Sequence, residues 1–181
     1  MSEVTVIVKV LNTRNNQIKN FKNKDCQFSY RESIFRNNSH LIIIEAGLRL
    51  RKEKKIIIKN KMKEYWQERL KKQPRGLSAG SVFKNYRIKG EREKERLIKK
   101  FPELEGFFIK GIIPAGFLIE KCGLKGKTIG KIMISHLHAN FIINLGKGKA
   151  IDVKRLIYLI KKTVQKKFGL SLTEEIIFIG F

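Results

Sequence analysis

Valine recurs at positions 4, 6, 8 and 10, interleaved with Thr5, Ile7, Lys9 and Leu11. A period of two predicts a β-strand with one buried face. Asn15-Asn16 supplies turn chemistry, and a second short strand is expected over Gln17 to Phe21. Leu41 to Leu50 reads as a further strand. The period then changes: Ile58, Met62, Tyr65 and Trp66 fall at helical spacing, which predicts an amphipathic helix over 57–72 ended by Pro74 and Gly76. A domain boundary is placed near Lys72, giving domains 1–71 and 72–181.

Beyond that boundary, Ser78-Ala-Gly-Ser81 is a small-residue turn leading into a short strand, Val82 to Asn85. Residues 90–100 are almost all charged and predict an exposed helix or loop. Pro114 suits the first position of a helix through Cys122, with Gly123 at its end. Ala139 to Asn144 predicts a strand. Val153, Leu156, Ile157, Ile160, Val164 and Phe168 predict a long helix stopped by Gly169, and a last strand follows over 170–179. Strands and helices without regular β-α-β alternation indicate an α+β fold.

Charge adds a second constraint. The chain has 181 residues, 40 Lys+Arg against 16 Asp+Glu, and a formal net charge of +24. Such a field attracts anions of any kind, from nucleic acid to nucleotide-sugar diphosphates. The basic residues are dispersed among Lys, Asn and Ile, the pattern of lysines spread over solvated faces. Cys26 and Cys122 form no C-x-x-C pair, which points to a reduced cytoplasmic setting. The start lacks the basic-then-apolar pattern of a signal peptide, and no apolar run reaches the ~20 residues of a membrane span. No membrane partner is expected.

Composition and spacing name no reaction. Ser81 is not a nucleophile elbow, because Ala79 stands where G-x-S-x-G needs glycine. There is no Walker loop and no G-x-G-x-x-G. His136 and His138 would share one face of a strand and could bind zinc, but without a nearby third ligand the bland polar reading is preferred, so no metal is assigned.

Five blocks, in order, resemble the UDP-N-acetylenolpyruvoylglucosamine reductase (UDP-N-acetylmuramate dehydrogenase) family. Phe28-Ser-Tyr-Arg-Glu-Ser-Ile-Phe35 resembles F-x-Y-R-x-S-I-F, and Gln73 to Asn85 resembles Q-P-x-x-x-P-S-A-G-S-V-F-K-N-P. Ala115 to Gly126 is similar to A-G-W-L-I-E-x-x-G-L-K-G, and Ser135 to Asn144 to S-x-K-H-A-N-F-I-I-N. Leu172 to Gly180 is similar to L-E-x-E-V-x-x-I-G.

The resemblance implies an NADPH- and FAD-dependent oxidoreductase of peptidoglycan synthesis. It would reduce UDP-N-acetylglucosamine enolpyruvate to UDP-N-acetylmuramate. It implies a remnant of an FAD-binding (PCMH/VAO-type) domain over 1–71 and a small α+β substrate-binding domain over 72–181. Ser81 would deliver the proton, Arg31 would hold the substrate carboxylate, and Glu175 would complete the electrostatic site. Lys72, Asn85, Lys125 and His138 would contact substrate, and Tyr30 with Arg31 would face FAD. Family members carry glycine-rich FAD loops ahead of the first block. Their absence here implies a gene fragment, a misassigned start or one half of a split enzyme, incomplete alone, the last of these with a separate amino-terminal FAD-domain chain as a partner.

Departures from the family blocks are local. The proline before Ser78 is missing, Tyr86 stands where the second block ends in proline, and Lys131-Ile132 replace Gly-Ala. A charged insertion follows Asn85, and the short spacing between Arg49 and Lys54 is similar to the shorter branch of the family. The alternative is a non-enzymatic basic module for RNA. Most aromatics lie in apolar patterns rather than interleaved with basic residues, so no nucleic-acid partner is expected.

Overall fold

A computed structural model describes residues 2–180. The chain divides into two compact units, one ending at Lys61 and the other starting at Met62.

The first unit is an antiparallel sheet of β1 (Thr5–Asn12), β2 (Gln17–Lys22) and β3 (Leu41–Leu48), in the order β2-β1-β3. Asn16 makes the β1–β2 turn with φ 54°. The predicted valine face is interrupted. Val8 and Val10 are buried but Val6 is exposed, because the β1–β3 register shifts between Thr5 and Ile7. Such a shift turns the side chains on one side of it to the other face. Gly47 pairs with Ile7, and a Cβ there would stand 2.8 Å from Ile7 Cγ2, so that close approach requires glycine. Phe21, Phe28, Phe35 and Leu41 pack on the small core of Val8, Val10 and Cys26.

Helix α1 (Lys55–Lys72) forms where the sequence predicts a helix, but none of its residues is buried. Met62, Tyr65 and Trp66 are 65%, 68% and 62% exposed, so the amphipathic expectation fails at the level of burial. The division between the two units falls inside this helix.

The second unit is built on β4 (Tyr86–Arg87), α2 (Glu91–Lys100), α3 (Glu105–Phe108), β5 (Ile112–Ile113), α4 (Ala115–Lys121), β6 (Thr128–Ile129), β7 (Ile132–Ile134), β8 (Ile142–Asn144) and α5 (Ala150–Phe168). β4 pairs with β5, and β6-β7-β8 form an antiparallel meander. α5 buries Leu156, Ile157, Ile160, Val164 and Phe168, one stripe at helical spacing, and Gly169 ends it at φ 69°. Mixed helices and strands of this kind give the expected α+β class. Among the described residues no helix is long and apolar enough to cross a membrane.

The charged stretch after Asn85 forms α2, the helical one of the two expected forms, largely exposed and tied down by a fully buried Leu97. Two local expectations change. Pro114 caps α4 from outside, with ψ 128°, instead of entering its first turn. The last segment is a single bridge at Glu174 rather than a strand over 170–179, because the partner stretch around Phe83 is itself only a few residues long.

Candidate functional site

The segment Leu77–Lys84 runs between two others in the second unit. On one side Asn144 N donates to Leu77 O (2.9 Å) and Val82 N donates to Asn140 O (2.8 Å). On the other side Glu175 N donates to Val82 O (2.8 Å) and Lys84 N donates to Thr173 O (2.9 Å). Ser81 bridges to Phe141, and Phe83 bridges to Glu174. These bonds bring Ser81 and Glu175 together from positions far apart in the chain: Glu175 bonds the residue next to Ser81. Both are half-buried.

The two adjacent acids separate in role. Glu174 is held by Lys161, Nζ to Oε1 at 2.8 Å. A cavity of about 350 Å³ opens beside this three-segment layer, lined by Ser78, Val82, Asn144, Lys149 and Ile176 among others. Val82 and Ile176 line it, whereas Ser81 and Glu175, which precede them in the chain, do not. Ser78 Oγ accepts from Gly80 N (3.1 Å), and Gly80 has φ 83°, which fixes the turn entering Ser81.

His136 and His138 do not share a strand face. They lie in a loop after β7 that bonds to itself. The buried Ser135 Oγ accepts from Leu137 N (3.1 Å) and His138 N (3.2 Å), and Phe141 N donates to His138 O (3.0 Å). His138 Nδ1 accepts from Asn140 N (3.2 Å), leaving the ring proton on Nε2 when the imidazole is neutral. Burial pushes the His138 pKa down and Lys125 adds to this, while its own backbone hydrogen bond and Glu120 pull it up. Gly116 lies close under the ring: a Cβ there would stand 3.0 Å from His138 Cε1, so the ring would have to give way.

The remaining predicted residues are dispersed. Lys125 is ion-paired to Glu120 at 2.8 Å and mostly covered. Asn85 Oδ1 accepts from Ala115 N (3.2 Å) and so caps α4, whose own N-cap, Pro114, has no side chain to do it. Lys72 ends α1, exposed, 3.5 Å from Glu68. Tyr86 donates to Glu93 Oε1 (2.9 Å), and burial with that bond pushes its pKa up to about 12. The departure from proline at 86 thus anchors α2. At the other departure, the Ile132 side chain is fully buried over Gly148, where a Cβ would stand 2.4 Å from Ile132 Cδ1.

Tyr30 and Arg31 belong to the first unit. Ser29 and Glu32 exchange backbone hydrogen bonds of 3.1 and 3.2 Å, placing Tyr30-Arg31 at the corner of a tight turn. Arg31 has φ 60°, a conformation that favours glycine, and its guanidinium carbon lies 5.9 Å from the Tyr30 ring centroid. A non-glycine residue held there is a strained backbone position of the kind found where a side chain's aim matters.

The sequence reading missed Asn140. The signal was available as a buried-looking amide inside the apolar run Ala139–Asn144.

Comparison with known proteins fits this layout. Residues 71–179 match the model of the UDP-N-acetylenolpyruvoylglucosamine reductase, C-terminal domain. A reductase of that name from Thermosipho melanesiensis is 41% identical over 153 residues, covering 84% of this chain and 44% of the relative. One from Borrelia garinii subsp. bavariensis is 35% identical over 183 aligned residues, covering 100% of this chain and 52% of the relative. The crystal structure of the Thermus caldophilus reductase (MurB) superposes with a TM-score of 0.70 at 29% identity, covering 96% of this chain and 52% of that one. The chain therefore spans about half the length of the curated relatives it matches.

Proposed function

This chain belongs to the UDP-N-acetylenolpyruvoylglucosamine reductase family, and from that membership we propose that it supplies the substrate-handling part of the reductase. The division into a flavin-side region, 1–71, and a substrate domain, 72–181, is part of this proposal. The observation that carries it is the backbone pairing of the Ser81 segment with the Glu175 segment, since both residues fall within family blocks.

The reaction adds a hydride at C3 and a proton at C2 of the enolpyruvyl ether, a two-electron reduction. Ser81 Oγ–H is the proton source. A hydroxyl is too weak an acid at neutral pH except when aligned against a strongly basic carbanionic carbon. Arg31 holds the adjacent carboxylate with its forked donors. Glu175 completes the electrostatic site around the charge developing there. Lys72 and Lys125 serve the diphosphate. For Lys125 this means competition with Glu120, which a multiply charged diphosphate wins over one carboxylate. Asn85, its oxygen committed to α4, offers its NH₂ to the substrate, and His138 offers its Nε2–H.

FAD does not fit on these residues alone. Gly47 is the sole glycine before Met62, and it is used in packing against Ile7, so no glycine-rich backbone cradle for a pyrophosphate is present there. Tyr30 and Arg31 offer contacts on one side only. The cradle then belongs to polypeptide of the kind that fills the other half of the relatives, on a separate chain or the same one. Held by that cradle and reduced by NADPH, FAD would supply the hydride. The setting is cytoplasmic peptidoglycan precursor synthesis.

The test joins this chain, by fusion or co-expression, to the flavin-binding half of a relative. NADPH oxidation dependent on UDP-N-acetylglucosamine enolpyruvate is expected from the pair and absent from either part. A pair that binds flavin and oxidises NADPH yet ignores the enolpyruvyl sugar contradicts the proposal.

A further inference from the structure

Asn140 is 4% exposed and makes four hydrogen bonds within the site. Its side chain pairs with the main chain of Phe83 in both directions: Phe83 N donates to Oδ1 (3.0 Å), and Nδ2 donates to Phe83 O (2.9 Å). Its carbonyl accepts from Val82 N (2.8 Å), and its N–H donates to His138 Nδ1 (3.2 Å). Val82 O in turn accepts from Glu175 N (2.8 Å).

An amide that both accepts from and donates to the main chain of one residue acts as an extra strand residue. It holds the two peptide groups that flank Phe83 Cα. It does so two residues from Ser81, in the same short segment that carries the bond to Glu175, while its main chain sets the His138 ring. The segment cannot slide by one residue without breaking both amide bonds in a buried place, where unpaired polar groups are costly.

We propose that Asn140 is the positioning residue of this site, holding Ser81 in register with Glu175 and fixing the tautomer of His138. It touches no reacting atom. This rests on the proposed proton transfer from Ser81.

The informative variant is Asn140→Asp. Ionised, its carboxylate accepts from Phe83 N but repels Phe83 O. Protonated, it restores both bonds, because its O–H replaces the N–H. Burial beside a carbonyl raises the carboxyl pKa above its ordinary value of about 4. A raised folded pKa means the variant's stability is retained at low pH and lost as pH rises through the folded value. His138, Lys125, Glu120 and Glu175 also titrate or carry charge around this position, and they do so equally in wild type. The difference between the two proteins therefore isolates position 140.

Two measurements decide it. In urea unfolding of the chain itself, the midpoint of Asn140→Asp should fall relative to wild type between pH 5 and pH 8. A pH-independent difference overturns the bidentate role. In the flavin-loaded pair, Asn140→Asp and Asn140→Ala at pH 8 should slow flavin reoxidation by the enolpyruvyl sugar about 10- to 100-fold, as small misplacements do. Flavin reduction by NADPH should stay within about twofold, and Asn140→Asp should recover reoxidation as pH falls, relative to wild type. Equal slowing of both half-reactions, or no slowing in a folded variant, overturns positioning. Should Asn140→Ala fail to fold, Asn140→Asp at low pH still decides the question. If wild type itself shows no reoxidation by the sugar, the functional reading fails, while the unfolding comparison still judges the bidentate role.

Discussion

In the second unit α5 lays Leu156, Ile157, Ile160, Val164 and Phe168 into a core shared with α2, α4 and the β6-β7-β8 meander. In the first unit β1 carries Val8 and Val10 inward, while Ile42, Ile43 and Ile44 on the neighbouring strand stay 50%, 50% and 52% exposed. The two regions use the same isoleucine-rich vocabulary. The difference is the number of layers: a sheet buries its apolar residues only where a second layer lies over it, and three strands without such packing are marginal. Ser81, Glu175, Asn140 and His138 all sit in the well-covered unit. Arg31 and Tyr30 sit in the thinly covered one.

The largest consequence is in local stability. Amide hydrogens of β1, β2 and β3 should exchange at least ~10²-fold faster than those in the middle of α5, read residue by residue by NMR. Equal protection in the two units would break the comparison.

Core substitutions follow. Leu156→Ala should cost about 2–5 kcal/mol in urea denaturation, by lost burial and the cavity left behind. Ile44→Ala should stay within about 0.5 kcal/mol, as surface changes do. Similar costs at the two positions would mean the sheet is better covered than its exposure shows.

Within the second unit, Tyr86 sharpens the picture. Tyr86→Phe should cost about 1 kcal/mol near neutral pH by removing the bond to Glu93. Its folded pKa, about 12, lies above the ordinary value, so its contribution is complete below pH ~10 and lost as pH rises toward that folded value. Wild type and Tyr86→Phe should therefore converge in stability across that window.

His138 gives the smallest effect. Its folded pKa is lowered, so its contribution is present above its ordinary value of about 6.5 and lost as pH falls through the folded one. Wild type should lose slightly more stability than His138→Gln on acidification from pH 7 to 5, by thermal melts. The opposite order would mean that the imidazolium is favoured in the fold.

Long periodic elements were legible in the sequence. α5 announced itself through six apolar positions and a terminal glycine, and β1 and β2 through alternation and Asn15-Asn16. What alternation could not show was the register shift that turns Val6 outward, because it arises from pairing with β3. The apolar residues of α1 gave a correct helix and a wrong burial, since a hydrophobic pattern states what an element can bury and not whether anything lies against it. The two histidines looked strand-like by spacing, but Ser135 folds them into a turn through two backbone donors. Family blocks pointed to Ser81 and Glu175, and their adjacency came from backbone pairing across nearly a hundred residues. Asn140 escaped notice because an amide in an apolar run carries no sign of which distant peptide it will bond.

The proposed release of a proton from Ser81 completes the reduction. It is tested most directly by stopped-flow absorbance of the flavin in the reconstituted pair carrying Ser81→Ala. Flavin reduction by NADPH should stay close to wild type, because no proton at C2 is needed there. Reoxidation by the enolpyruvyl sugar should slow ~10²-fold or more, the lower range for loss of a positioned general acid, and Ser81→Cys should recover part of it. Equal slowing of both steps would assign Ser81 a structural role, and unchanged rates in both would place the proton donor elsewhere.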